Sequence, residues 1–207
     1  MNKLKRPLAI IVLAAGQGTR MKSDLHKVLH PVAGRPMLLH LLDSVAALEP
    51  ERIVVVAGAR REQIESTVAS MQNVVVAFQE NQLGTGHAVL MARDALAGFD
   101  GDVLILYGDV PLVRATTMSV MLERLRQADA PSVVVLGFRP SDPGAYGRIV
   151  SDDHQTIVKM VEFKDANSEE RLLTLCNSGL MAVRSRDLFD LLDRIGKIGR
   201  ASCRERV

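Results

Sequence analysis

A buried strand that empties into a loop of glycines and cations limits this chain more than any other feature. Residues 8–13 form a short apolar run that reads as a strand buried on both faces. Directly behind it comes Leu13-Ala-Ala-Gly-Gln-Gly-Thr-Arg-Met-Lys-Ser-Asp-Leu-His-Lys27. Gly16 and Gly18 let the backbone turn tightly and approach a ligand with no Cβ in the way. Successive backbone N–H groups in such a turn make a concavity for an anion, and Arg20 and Lys27 can neutralise phosphate charge. Two other glycine loops fit worse. A dinucleotide fingerprint needs a third glycine where Met21 stands, with a helix opening behind it, and a P-loop must end in Gly-Lys-Ser/Thr.

The carboxyl end changes how charge is read. Residues 198–207, Ile-Gly-Arg-Ala-Ser-Cys-Arg-Glu-Arg-Val, resemble the translation of a sequencing-adapter DNA, so they are expected to be a non-native tail, with 1–197 a single domain truncated at its carboxyl end. The whole chain carries 26 Lys+Arg and 24 Asp+Glu; without the tail's three Arg and one Glu, 23 of each remain. The small positive balance then disappears, and no charge-based case for nucleic acid or a membrane surface survives. Of two cysteines only Cys176 is left, which excludes a disulfide framework or zinc spacing and points to a reducing, cytoplasmic setting. Hydrophobic residues make up 47% and aromatic residues 3%, with no Trp, so the core must be aliphatic. No apolar run approaches the roughly 18 residues of a membrane span.

Strand and helix signals alternate along the chain. Strands are expected at 8–13, 52–57, 74–77, 103–107, 132–138 and 180–183. Helices are expected at 37–48 behind Pro36, then at 62–70, 86–97, 115–127 and 186–195. Near-continuous Val/Ile/Leu strands between amphipathic helices predict an α/β fold, a largely parallel sheet covered on both faces. Residues 148–151 and 156–163 flank the polar turn Asp152-Asp-His-Gln155 and predict a β-hairpin. In open α/β sheets the ligand lies beyond the carboxyl ends of the strands, which gathers residues 16–27, 79–87 and 107–111 on one rim.

Those other rim segments carry their own chemistry. Gln79-Glu-Asn-Gln82-Leu-Gly84-Thr85-Gly-His87 follows a strand and enters a helix. An amide side chain offers both donor and acceptor, which suits a pyrimidine edge, and glycines at the helix mouth allow backbone contact with a flat base. Read alone, the segment is also compatible with a turn capped by Thr85 and solvated glutamines; His87 is assigned to packing or capping. In Tyr107-Gly108-Asp109-Val-Pro, a carboxylate at the end of a buried strand is costly unless paired or metal-bound. Mg²⁺ takes hard oxygen ligands, typically one or two carboxylates with substrate phosphates. Asp102, at the opposite end of the same strand, is expected to be only a turn residue. Tyr146-Gly147-Arg148, Glu162 and Asn177-Ser-Gly179 each read on their own as hairpin or turn chemistry.

Residues 13–27 resemble the signature of nucleoside-triphosphate:sugar-phosphate nucleotidyltransferases, Leu-Ala-Ala-Gly-x-Gly-Thr-Arg-Met with a lysine further on; that family usually has Pro where His26 stands. The segment from Gln79, and the order and spacing of Gly147, Glu162 and Asn177 (Asn-Ser-Gly here for the family's Asn-Thr-Gly), resemble the bacterial N-acetylglucosamine-1-phosphate uridyltransferases from residue 8 to about 195. The resemblance implies a Rossmann-like nucleotide-diphospho-sugar transferase fold: a mostly parallel mixed sheet, helices on both faces and a β-hairpin insertion. It implies transfer of UMP from UTP to N-acetylglucosamine 1-phosphate, releasing pyrophosphate, with Mg²⁺ as cofactor. Arg20 and Lys27 would be catalytic. Leu13, Ala14, Ala15, Gly16, Gly18, Lys27, Gln79, Gln82, Gly84 and Thr85 would bind the nucleotide. Tyr107, Gly108, Gly147, Glu162 and Asn177 would hold the sugar side, and Asp109 the metal. It further implies a second metal ligand beyond this chain, a fragment of impaired turnover, and a parent that is a homo-oligomer through a hexapeptide-repeat acetyltransferase domain absent here. A sister nucleotidyltransferase with another nucleotide or sugar, or a non-catalytic sugar-nucleotide-binding module, would use the same loop.

Overall fold

The computed structural model describes residues 6–16, 18, 21–129 and 131–195. The expected tail at 198–207, and Arg20 within the first loop, therefore lie outside the described residues. In chain order the elements are β1 (Leu8–Ala14), β2 (Pro31–Val32), β3 (Arg35–Pro36), α1 (Met37–Ala46), β4 (Arg52–Ala57), α2 (Arg61–Val68), β5 (Val74–Phe78) and α3 (Thr85–Leu90). They continue with β6 (Asp102–Tyr107), α4 (Ala115–Leu125), β7 (Val133–Phe138), β8 (Arg148–Ser151), β9 (Ile157–Val161), α5 (Ser168–Leu172), β10 (Cys176–Arg184) and α6 (Ser185–Ile195).

All seven residues of β1 are buried. The strand pairs in parallel with β4 on one side and β6 on the other, and β4 pairs in parallel with β5. Alternate side chains leave the sheet on opposite faces. Ile10, Val12, Ile53, Val55, Leu104 and Leu106 meet Leu38, Leu41, Met118, Leu122 and Ile64 of α1, α4 and α2. Ile11, Leu13, Val54, Val56 and Ile105 meet Ala88, Val89, Leu188 and Leu192 of α3 and α6. Both faces are thus covered, and the strands have no alternation because neither face sees water. Each aliphatic side chain buried in this way contributes about 1.5–3 kcal/mol. Among the described residues no helix is long and apolar enough to cross a membrane.

β10 returns antiparallel to β6 through Met181–Arg184 and pairs with β7 on its other edge. Its first residue, Cys176, reaches both Phe138 of β7 and Arg148 of β8. β8 and β9 form the expected hairpin. Strand β10 begins earlier than the expected 180–183 because Asn177-Ser-Gly is a bulge inside it rather than a turn before it. The register against β7 shifts between Asn177 and Met181, the Gly179 N–H donates to Asn177 Oδ1 at 2.8 Å, and the Ser178 hydroxyl donates to the Leu136 carbonyl at 2.7 Å. The expected helix at 86–97 is broken. The N–H groups of Met91, Ala92 and Arg93 bond to carbonyls three residues back, which ends α3 and leads into a short 3₁₀ turn at Asp94–Leu96.

Asp102 is corrected from a turn residue to a buried anchor. It opens β6 with no exposed surface, and Arg126, just past α4, donates from Nε to its Oδ2 at 2.6 Å. Arg6 Nε stands 3.5 Å from the other oxygen, which has no hydrogen-bond partner. A buried carboxylate tolerates the loss of its partner poorly. Arg126→Met should therefore lower the unfolding free energy by about 2–4 kcal/mol. The double variant Asp102→Ala/Arg126→Met should recover part of that loss, because the stranded charge is gone. Urea titrations of the three proteins measure both effects, and additive losses would contradict the pairing.

Candidate functional site

The three parallel ladders end on one rim, and their hydrogen bonds continue into the loops. Gln79 donates its N–H to the Ala57 carbonyl at 2.8 Å, and Gly108 donates to Leu13 at 2.9 Å. A cleft of about 250 Å³ opens there between the ends of β1, β5 and β6. It is lined by Leu13, Ala14, Ala15, Gly16, Lys27, Val28, Gln79, Gln82, Gly84, Thr85, Ala88, Tyr107 and Asp109. Segments separated by up to 95 residues of chain therefore face one space at the switch point between β1 and β6, where strand order reverses.

One wall of the cleft is charged. Lys27, which begins a 3₁₀ turn at Lys27–Leu29, donates from its ammonium to Asp109 Oδ2 behind the end of β6. Both groups are about one-third exposed, so the pair faces the cleft rather than the core. Gly18 lies beside the Lys27 stem.

The opposite wall is polar and uncharged. Gln79 is buried at 3% exposure, with Nε2 at 2.9 Å from His87 Nδ1 and 3.4 Å from the Gly84 carbonyl. Gln82 Nε2 donates to the Ala15 carbonyl at 2.6 Å, which ties this wall to the glycine loop and commits one of its amide donors. Thr85 is the first residue of α3 and is exposed; the N-cap is Gly84, which has no side chain to cap the helix.

The sugar-side residues of the sequence reading form a second, contiguous group. The Tyr107 ring covers Gly179, where φ is +79° and an added Cβ would sit 2.6 Å from the ring. Two residues back in the bulge, Asn177 donates its N–H to the Gly147 carbonyl at 2.9 Å. Gly147 in turn lies against Glu162, whose Oε2 would be 3.7 Å from a Cβ at that position. Gly108 is buried between Val28 and Ala14. Tyr107 thus joins the cleft to the β8–β9 hairpin.

Several positioning roles were not legible in the sequence, that of Arg148 included, although Tyr146-Gly147-Arg148 reads there as turn chemistry. Gly58 ends β4, and a Cβ there would come within 2.7 Å of the Ala15 carbonyl, so only glycine lets the first loop pass. A glycine directly behind a buried strand was the available signal. Gln63 accepts from the His26 N–H at 2.7 Å and donates to the Asp24 carbonyl at 2.9 Å, holding the segment before Lys27 from α2. Arg148 is buried at 2% exposure and donates to the carbonyls of Pro143, Gly144, Tyr146 and Arg171, which fixes the loop leading to Gly147. The Arg148 Nε has no hydrogen-bond partner among the described residues, and bonds to carbonyls leave no pattern in the sequence.

His26 stands where the resembling family usually has proline. It is buried at 4% exposure, and its Nδ1 accepts from the Val28 N–H at 3.4 Å. Burial lowers its pKa below 6.5; the neighbouring Arg60 charge adds to this and a hydrogen bond with the Ala14 backbone opposes it. The unfolded chain then binds a proton that the folded chain resists. Stability should be full above the ordinary imidazole value and fall as the pH drops below it. His26→Asn should flatten this part of the Tm–pH curve between pH 8 and pH 5. An unchanged slope would place the titration elsewhere.

The doubly wound sheet carries a glycine loop, a Lys–Asp pair and amide side chains on its carboxyl rim, and the family and relatives that the chain matches make it a nucleotidyltransferase. The chain belongs to the MobA-like NTP transferase domain family, whose match covers residues 10–190. It is 65% identical over 190 residues to the Bifunctional protein GlmU of Novosphingobium aromaticivorans, covering 92% of this chain and 42% of that protein. To the protein of the same name from Rhodospirillum rubrum it is 53% identical over 188 residues, covering 91% and 41%. The chain thus spans about two fifths of the length of the curated relatives it matches. Among solved structures, a UDP-glucose pyrophosphorylase complexed with UDP-glucose superposes with a TM-score of 0.68 at 20% identity, covering 90% of this chain and 79% of that one. A CMP:2-keto-3-deoxy-manno-octonic acid synthetase complexed with CTP gives 0.69 at 18% identity, covering 93% and 79%. At these identities the likeness shows the fold.

Proposed function

We propose that the cleft binds UTP and that the chain transfers UMP to N-acetylglucosamine 1-phosphate, giving UDP-N-acetylglucosamine and pyrophosphate, a precursor for cell-wall building. The observation that carries this reading is the single cleft with a Lys–Asp pair on one wall, amides on the other, and Tyr107 leading to Gly147, Glu162 and Asn177. The resemblance of these positions to the uridyltransferases supplies the substrate names.

In this reading the backbone N–H groups from Ala14 to Gly18 and the Lys27 ammonium hold the triphosphate. Arg20, outside the described residues, would act beside Lys27 on the transferring group. Gln79, Gln82, Gly84 and Thr85 face the base, while Tyr107, Gly108, Gly147, Glu162 and Asn177 bound the amino-sugar. A phosphate oxygen of the sugar phosphate attacks the α-phosphorus, and the bond to the pyrophosphate oxygen breaks with both electrons leaving on pyrophosphate. Such transfers depend on positioning and charge stabilisation, so no protein nucleophile is required.

Asp109 suits Mg²⁺. It is a one-third-exposed carboxylate on the cleft wall. Mg²⁺ takes one or two carboxylates and completes its shell with phosphate oxygens and water. When bound, Mg²⁺ would neutralise charge on the triphosphate.

Charge-assisted contacts are worth about 1.5–3 kcal/mol each. Lys27→Ala should accordingly weaken UTP binding by about tenfold to a hundredfold and leave thermal melting nearly unchanged. Pyrophosphate release with UTP, Mg²⁺ and N-acetylglucosamine 1-phosphate, read beside calorimetric UTP binding, tests the assignment. UTP should bind better than CTP, since cytosine exchanges the uracil N3–H donor for an acceptor. Equal use of both nucleotides would favour a sister enzyme, and unaltered binding by Lys27→Ala would remove that residue from the site.

A further inference from the structure

The carboxamide of Gln79 is the most completely buried polar group on the cleft wall, at 3% exposure, and its orientation is decided by two neighbours. Its Nε2 lies 3.4 Å from the Gly84 carbonyl, which can only accept. With the amide reversed, two oxygens would face each other with no proton between them. Nε2 is therefore the donor end on that side, and His87 Nδ1, 2.9 Å away, must accept its other proton. This places the imidazole proton on Nε2. Both amide protons are then committed, and Oε1 is the end of the carboxamide with no described donor, in a side chain that lines the cleft.

We infer that His87 is a positioning residue that sets base specificity: it locks Gln79 so that the cleft presents a hydrogen-bond acceptor to a base N–H. Resting on the uracil reading above, this explains how the preference is enforced. Uracil offers N3–H to a fixed acceptor. Cytosine places an acceptor at the same position, and Gln79 can answer it only by turning over, which breaks the bond to His87 and opposes its oxygen to the Gly84 carbonyl. Without the Nδ1 acceptor only the longer Gly84 contact holds the amide, and reversal becomes cheaper. His87 touches no base itself and acts through Gln79.

The test uses the full chain with Mg²⁺ and calorimetric Kd values for UTP and CTP. Wild type should favour UTP, and His87→Leu should shrink the CTP/UTP Kd ratio by about fivefold to tenfold, the effect of losing one hydrogen bond. His87→Asn should keep the ratio within about twofold of wild type, because Asn Oδ1 offers an acceptor near the Nδ1 position. In parallel, long-range proton–nitrogen NMR of histidine-labelled wild type should show the His87 proton on Nε2, a readout independent of any variant's folding. A His87→Leu protein that keeps the full ratio, or that loses both nucleotides equally, overturns the inference and leaves the uracil reading standing. A proton on Nδ1 overturns it as well. A wild type that binds UTP and CTP alike removes both.

Discussion

The parallel pairing of β1 with β4 and β6 is the constraint from which the site follows. A strand hydrogen-bonded on both edges and packed on both faces carries a polar side chain only at a cost, and β1 carries none. Chemistry is displaced to the residues just past the strand ends, and parallel strands put those ends on the same rim. The ladder bonds from Gln79 to Ala57 and from Gly108 to Leu13 carry that order one residue beyond the sheet. The Gln79 amide and the Gly108-Asp109 turn are therefore placed by the ends of the parallel ladders. Gly58 completes the arrangement by letting the first loop cross the end of β4 in contact with its backbone.

The charges on the rim are held at intermediate depth. Lys27 and Asp109 are each about one-third exposed, deep enough to be oriented by β1 and β6 yet wet enough to exchange partners. A fully buried pair would be costly to part, and a fully exposed one would be screened and unplaced. Asp102 and Arg126 at the other end of β6 show the contrast. There the carboxylate is wholly buried and held by the Arg126 guanidinium. Asp102, which opens β6, and Asp109, just past its other end, thus differ in depth and in the partner each holds.

The fold was legible because a two-face-buried sheet leaves aliphatic runs with no alternation, and those runs located β1, β4 and β6 closely. The rim position of Lys27, Gln79, Gln82, Tyr107 and Asp109 followed from strand ends and needed no side-chain detail. What was not legible depended on contacts between distant segments. Asp102 looked like a turn residue because its partners, Arg6 and Arg126, come from elsewhere in the chain. Asn177-Ser-Gly179 has turn composition, and only pairing with β7 makes it a bulge within a strand. Arg148 and Gln63 act on backbone groups, which every residue carries, so no pattern announces them. His87 was assigned to packing, and its bond to Gln79 spans eight residues across a strand end and a helix start.

Ligand chemistry is expected at the carboxyl rim of the parallel strands. The opposite end of the sheet provides an internal control, because it holds a cavity of similar size, about 280 Å³, lined by residues including Arg6, Leu48, Glu51, Ser119 and Arg126. Backbone amide NMR of the isotope-labelled chain during titration with UTP and Mg²⁺ compares the two ends directly. Resonances of Ala14 to Gly18, Gln79 to Thr85 and Gly108 to Asp109 should shift in saturable fashion, with those around Ser119 and Arg126 unmoved. Shifts concentrated at the Arg126 end, or spread evenly without saturation, would contradict the account.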